Sequence, residues 1–209
     1  DLEKAMQYTF CCVGDSEELM LKAAGILKDA FMAIGNSHWP DLEAALLEVR
    51  ECAASPNICI GLCDGSELLG WVGLRPMYEK TWELHPMVVS PGSQRSGVGR
   101  MLIAELEKRA RELGIIGIAL GTDDEHDQTS LSQVDVDSEN IFREITNIRN
   151  LRRHPFEFYK KCGYSIVGII PNANGRHKPD IWMWKDISAS DVASPDYKSE
   201  IWLPVRKKQ

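Results

Sequence analysis

Residues 82–113 read WELHPMVVSPGSQRSGVGRMLIAELEKRAREL, and the punctuation of this stretch decides the fold. It divides into a strand, a glycine-containing turn and an amphipathic helix that runs to Leu113. The alternation predicts that Trp82, Leu84, Pro86 and Val88 share one face of the strand, and Glu83, His85, Met87 and Val89 the other. Pro86 has no N–H to give a ladder, so a strand that carries it is an edge, a bulge or a place where two strands part. The turn Gln94-Arg95-Ser96-Gly97-Val98-Gly99 has the form Q-x-x-G-x-G. Small residues at a helix N-terminus let main-chain N–H groups approach a phosphate, which the helix dipole favours. A carboxylate and an imidazole beside such a cradle point to an enzyme with a nucleotide-bearing donor.

Outward from this core, the chain alternates helix and strand signals. Asp15-x-x-Glu18 has the form of a capping box, and Leu19, Ala23, Ile26, Leu27, Ala30 and Phe31 follow at helical spacing, predicting a helix over 16–34. Pro40, Asp41 and Glu43 open a second helix. Trp39, between the two, is expected to be a packing anchor. Asn57 to Cys63 and Leu68 to Leu74 read as strands joined by a hairpin at Asp64-Gly65. Ile115 to Leu120 is a buried strand, Glu139 to Asn150 and Phe156 to Cys162 are helices, and Tyr164 to Ile170 and Ile181 to Ile187 are the last strands. The expected architecture is a single α/β domain over 1–187, with mixed strand pairing that is parallel across the 98–113 helix. The tail 188–209, with Ile201-Trp202-Leu203, is either disordered or a strand laid on an edge or a partner subunit.

Bulk properties narrow the function. The 209 residues carry a formal charge of −7, which disfavours duplex nucleic acid as a partner. No run approaches the ~20 apolar residues of a membrane span, and the N-terminus lacks a signal-peptide pattern. The six cysteines form no C-x-x-C and read as reduced core thiols of a cytoplasmic protein; the five histidines show no ligand spacing, and no metal is expected. From Asp123 to Glu139 the chain holds seven carboxylates and no Lys or Arg. This run is either a solvated loop or an anionic wall for a polycationic substrate; its place after a core strand favours the wall.

Taken together, the turn 94–99 and F-Y-K-K-C-G-Y (158–164) resemble the GNAT superfamily of acyl-CoA-dependent N-acetyltransferases. W-E-L-H-P (82–86), L-G-T-D-D (120–124), T-S-L-S-Q (129–133), H-P-F-E-F-Y (154–159), P-N-A-N-G (171–175) and K-P-D-I-W-M (178–183) are similar to the aminoglycoside 6′-N-acetyltransferases within it. The resemblance implies the GNAT fold, a mostly antiparallel mixed sheet whose central parallel pair splays, and acetyl-CoA as donor in the gap beside Pro86. It implies that main-chain groups of Met87, Val88 and Val89 meet the pantetheine arm. Gln94, Arg95, Ser96, Gly97, Val98, Gly99 and Arg100 would then wrap the pyrophosphate.

Amine attack on a thioester needs a lost ammonium proton, a stabilised oxyanion and a protonated thiolate. Glu83 is the candidate to hold the acceptor ammonium and to act as base, with His85 assisting. The Val88 N–H is the candidate oxyanion donor, and Tyr159, which the resemblance places close to the CoA sulfur, is the candidate general acid. By the resemblance Asp123 and Asp124 match the family's acidic acceptor contacts and Tyr78 an aromatic one; Asp180 is a further candidate, and the resemblance implies a homodimer. Two other readings compete: a GNAT enzyme for another polyamine or a peptide amine, and a module that binds acyl-CoA or a cationic ligand without turnover.

Overall fold

The structure, a computed structural model, describes residues 8–35 and 38–188. Helix α1 spans Glu17–Ala33 and α2 spans Leu42–Ala53. Ser16, not Asp15, caps α1: its hydroxyl accepts from the Leu19 amide at 3.1 Å, while Asp15 ends a short 3₁₀ turn. The cap must sit with extended backbone one residue before the helix, which Ser16 does and Asp15 does not. Asp41 caps α2 in the same way, accepting from Ala44 at 2.8 Å.

The strands are β1 Tyr8–Cys12, β2 Ile58–Asp64, β3 Glu67–Pro76, β4 Thr81–Val89, β5 Gly117–Asp123, β6 Ser165–Ile170 and β7 Asp180–Asp186. They form one sheet in the order β1-β2-β3-β4-β5-β7-β6, in which β4 and β5 are the parallel pair. Helix α3, Val98–Glu112, is the crossover that makes this parallel pairing possible. Strand β1 was not legible in the sequence, being five residues at the sheet edge against β2. The expected helix over 139–150 is shorter, α4 at Ile141–Thr146, because Asn150 turns back to bridge with Thr129. Helix α5, Phe156–Lys161, lies where expected. The tail from 189 onward lies outside the described residues.

Two cores hold the helices to the sheet. On one face α1 and α2 cover β2 to β4 through Leu27, Val49 and the fully buried Trp71, whose indole N–H donates to the Ala23 carbonyl at 2.9 Å. On the other face α3 packs Leu102 and Leu106 against Ile60, Leu74, Leu84, Ile118 and Met183. Trp39 packs edge-on against Phe31, with ring centroids 4.6 Å apart, in its expected role as anchor.

The alternation expected along 82–89 does not hold throughout. Val72 pairs with Met87 and Leu74 with Leu84, so two residues of β4, His85 and Pro86, lie opposite the single Gly73 of β3. This one-residue bulge reverses the phase of the strand. Trp82 and Leu84 face the α3 core, yet after the bulge Met87 and Val89 face it and Val88 turns to the α1/α2 core. Glu83 and His85 therefore do not share a face with Met87 and Val89. The parallel pairing of β4 with β5 also ends at Glu83–Ala119, and beyond it the two strands part.

A Cβ added at Gly73 would run into the His85 carbonyl oxygen, a main-chain atom that cannot yield without moving the bulge. Gly73→Ala is expected to destabilise the fold by about 1–3 kcal/mol, the usual range for overpacking. Urea unfolding monitored by circular dichroism checks this, and an unchanged midpoint would refute it.

Candidate active site

The gap between β4 and β5 opens towards the N-terminus of α3. Gly97 occupies the left-handed region at φ 95° as the N-cap, and no side chain caps the helix among the described residues. The first-turn amides of an α-helix have no intrahelical acceptor, so this end offers several N–H donors to an anion. Gln94, Arg95, Ser96 and Gly97 are all exposed, and Gln94 donates from its side chain to the Val89 carbonyl at 3.3 Å. Gly99 has a second reason to be glycine: an added Cβ would lie 3.2 Å from the Phe158 ring. That contact seats α5 against the start of α3. These features fit a pyrophosphate-bearing ligand.

The Ser90 amide donates to the Leu69 carbonyl at 2.9 Å, which makes 69/90 a hydrogen-bonded pair of the antiparallel β3–β4 ladder. Such pairs alternate, and the register runs unbroken through Gly70–Val89 to Trp71–Val88. The N–H and C=O of Val88 therefore point into β3, and the expectation of a free Val88 N–H as oxyanion donor is corrected. The main-chain groups turned to the gap are those of Met87 and Val89.

On the α2 side of the sheet, carboxylates converge. Glu83 lies opposite Ala119; Gly121 and Asp123 continue that face, and Asp123 pairs with Asp180. Gly121 leaves room for the Asp180 carboxylate, since an added Cβ would sit 2.9 Å from both oxygens. Burial, then the charge of Asp123 and less strongly that of Glu83, pushes the Asp180 carboxyl up to about 6. Arg75 donates from Nε to Glu83 Oε2 at 2.7 Å. His85 places Nε2 3.4 Å from Glu48 Oε1 on α2. Asp123 is exposed and accepts from the Asn174 side chain.

Two expected contacts are not brought here. Asp124 is fully buried; its carboxylate accepts from the Gln128 amide (2.7 Å), the Thr129 amide (2.8 Å) and the Thr129 hydroxyl (2.7 Å), so it holds the loop and presents nothing to a ligand. Tyr78 is 68% exposed in the β3–β4 turn, at the end of the paired segment opposite the gap. The acidic run is also less of a wall than expected. Asp135 pairs with Arg176 and His177, and Asp137 accepts from the amides of Glu139 and Asn140.

Tyr159 is 8% exposed on α5, edge-on to Phe158 and Tyr164, and its burial pushes the phenol well above the ordinary range. Both ends of α5 are fixed. At the C-terminal end Lys185 Nζ donates to both Glu107 oxygens (2.8 and 2.7 Å) and to the Cys162 carbonyl (2.9 Å). At the N-terminal end His154 bonds the Asp123 carbonyl through Nε2 (3.0 Å) and accepts from the Phe156 amide at Nδ1 (3.2 Å), tying α5 to the end of β5. Sequence reasoning missed Glu48, Arg75, Lys185 and Glu107. None carries a local signal, because each finds its partner through tertiary pairing.

A splayed parallel pair facing an uncapped helix N-terminus, with carboxylates on the adjoining face, is an acyl-CoA transferase architecture. The chain belongs to the acetyltransferase (GNAT) family, whose profile matches residues 24–131. It is 37% identical to an aminoglycoside 6′-N-acetyltransferase solved in complex with coenzyme A, covering 90% of this chain and 99% of that one at a TM-score of 0.78. It is 38% identical to the aminoglycoside 6′-N-acetyltransferase from Enterococcus faecium, covering 91% and 100% at 0.77. The N-alpha-acetyltransferase RimI of Mycobacterium tuberculosis is 32% identical over 102 residues, 46% of this chain and 60% of that protein.

Burial, its largest cause, holds the His154 imidazole below its ordinary 6.5. A folded value under the unfolded one means that the unfolded chain takes up the proton first. This contribution to stability is thus whole above pH 6.5 and is lost as the pH falls below it. Thermal melts from pH 8 to 5 should show a falling midpoint in acid, and His154→Gln should flatten the slope by up to one proton. An equal slope in both proteins would refute this.

Proposed function

We propose that the protein transfers acetyl from acetyl-CoA to the 6′-amine of an aminoglycoside. The observation that carries this reading is the convergence of Glu83, Asp123 and Asp180 on one sheet face, beside the gap where β4 leaves β5. Several carboxylates facing one polyamine steer it and make binding salt-sensitive. Two solved structures that are 37% and 38% identical over about nine-tenths of the chain carry aminoglycoside 6′-N-acetyltransferase in their names, which supports the same acceptor.

In this reading acetyl-CoA lies along the gap, with Met87 and Val89 main-chain groups on its pantetheine arm. Gln94, Arg95, Ser96, Gly97, Val98, Gly99 and Arg100 surround its pyrophosphate. Glu83 holds the acceptor ammonium, which loses one proton to become a neutral amine. The amine nitrogen bonds to the acetyl carbon, and the oxyanion that forms accepts from the Met87 N–H, the first amide after Pro86 that faces the gap. The C–S bond then breaks, the thiolate takes the Tyr159 proton, and the former amine nitrogen gives up its second proton to leave the neutral amide, that proton restoring the phenol through solvent. A phenol kept protonated by burial suits this role. The product amide has lost a cation with which the drug binds RNA, so the outcome is antibiotic inactivation. The reaction belongs in the cytoplasm with its donor, and a homodimer, expected from the resemblance, is decided by solution mass.

A second reading, acetylation of a peptide N-terminus, is favoured by the likeness to RimI. Thiol release from acetyl-CoA with kanamycin, spermidine and an N-terminally free peptide separates the two. Turnover is expected with kanamycin, with its product acetylated at the 6′ position. Turnover with the peptide alone would sink the aminoglycoside reading, and none with any acceptor would leave a binding module.

Tyr159→Phe should lower kcat by roughly 100-fold, within the range of general acid catalysis, and leave acetyl-CoA affinity unchanged. An unchanged rate would remove its acid role. Glu83→Gln should raise KM for the aminoglycoside, and unaltered acceptor kinetics would remove its ammonium contact.

A further inference from the structure

The proton that leaves the ammonium needs an acceptor, and the two polar side chains ahead of the β4 bulge are not equally free to take it. Glu83 has Oε2 committed to Arg75 at 2.7 Å, with only 18% of its side chain exposed. An anion so held is suited to keep a cation in place. His85 sits on the same side of the sheet, one-third exposed, and meets a different partner. Glu48, in the middle of α2, is 18% exposed and sits 3.4 Å from His85 Nε2. The same carboxylate accepts from the Cys52 thiol at 3.5 Å, and Cys52 in turn reaches the His85 carbonyl at 3.6 Å. Contact with His85, the largest cause, then the Cys52 and Trp39 donors, hold Glu48 below the ordinary carboxyl range against the opposing effect of its burial.

A carboxylate at one ring nitrogen fixes which nitrogen carries the proton. The Glu48 carboxylate, 3.4 Å from Nε2, favours a hydrogen on that nitrogen, which leaves the lone pair of a neutral His85 ring on Nδ1. No hydrogen bond engages Nδ1 among the described residues. We propose, resting on the acetyl-transfer reading above, that Glu48 is a positioning residue that holds His85 in its Nε2–H form, and that His85 Nδ1 is the base that takes the proton from the acceptor ammonium. The ammonium N–H bond breaks, its electron pair stays on the amine nitrogen, and the proton becomes the Nδ1–H of an imidazolium. The opposite N–H of that imidazolium remains on the Glu48 carboxylate. The exposed part of the ring returns the proton to solvent after transfer. The groups that face this pair are Glu48 and Cys52 from α2, Trp39 from the α1–α2 connection, Arg75 from β3 and Glu83 from β4.

The test is a double-variant cycle on kcat/KM, measured from pH 5.5 to 9 with whichever amine the wild-type protein acetylates. Glu48→Gln keeps the shape of the side chain and removes its charge. It is expected to lower kcat/KM about tenfold and to change the pH profile, while acetyl-CoA affinity stays the same. In a His85→Asn background the same substitution should cost nothing more, because a residue that acts through another has no effect once that other is gone. Equal losses in both backgrounds would overturn the proposal and make Glu48 a packing residue. Independently of turnover, nitrogen NMR of the wild-type His85 ring at pH 8 should show hydrogen on Nε2 and a bare Nδ1; the reverse would also overturn it. Absence of turnover with kanamycin but turnover with another amine would reject the aminoglycoside reading alone. With no turnover at all, the ring measurement decides.

Discussion

Most of the molecule depends on a mismatch of one residue. Opposite Gly73, strand β4 spends two residues where β3 spends one, and the second, Pro86, has no amide hydrogen. A sheet normally resists such an insertion, because every later side chain then changes face. Here the reversal is absorbed by two cores, one on each side. Before the insertion the strand turns Glu83 and His85 towards α2; after it, Met87 and Val89 turn towards α3 and the helix that begins at the phosphate-ready turn. One strand thus turns side chains to both faces of the sheet in a phase that a regular strand could not give. The departure of β4 from β5 directly after Glu83 opens the gap between the two strands.

The remaining architecture orients parts around that opening. Gly99 lets Phe158 rest on the start of α3, so the helix bearing Tyr159 is set by contact with the turn itself. His154 ties the same helix to the end of β5, and Asp124, wholly buried, folds the following loop back on itself. In the proposed reading, the donor side and the acceptor side are therefore built on elements tied to one another through main-chain groups. This is the arrangement expected where reacting atoms must be placed to a fraction of an ångström.

Much of this was legible in the residue order, and the failures have physical causes. The strand–turn–helix of 82–113 could be read because its signals are local: alternation, a proline, two glycines and a helical stripe. Resemblance in short motifs then suggested Tyr159 and the acidic residues near 123 and 180. Alternation could not reveal that it would break at His85, because that depends on Gly73 across the ladder. Which amide after Pro86 is turned away from β3 depends on the same register, so Val88 could not be told from Met87. Asp124 looked like its neighbour Asp123, and only the folded loop separates a capping carboxylate from an exposed one. Glu48 lay unmarked on an ordinary amphipathic helix until folding set it against His85.

The Lys185–Glu107 pair divides the site by its response to ions. With 21% and 7% of the two side chains exposed, the pair keeps its grip on the Cys162 carbonyl largely out of reach of dissolved salt. Asp123 stands exposed to it. Ionic strength therefore acts on one half of the molecule and spares the other: under the proposed function it loosens recruitment of the cationic acceptor, while the helix carrying Tyr159 stays in place. If the acceptor is the polyamine proposed above, a cell that concentrates salt would alter how readily the enzyme finds it, and hardly at all how fast it acts once the polyamine is bound.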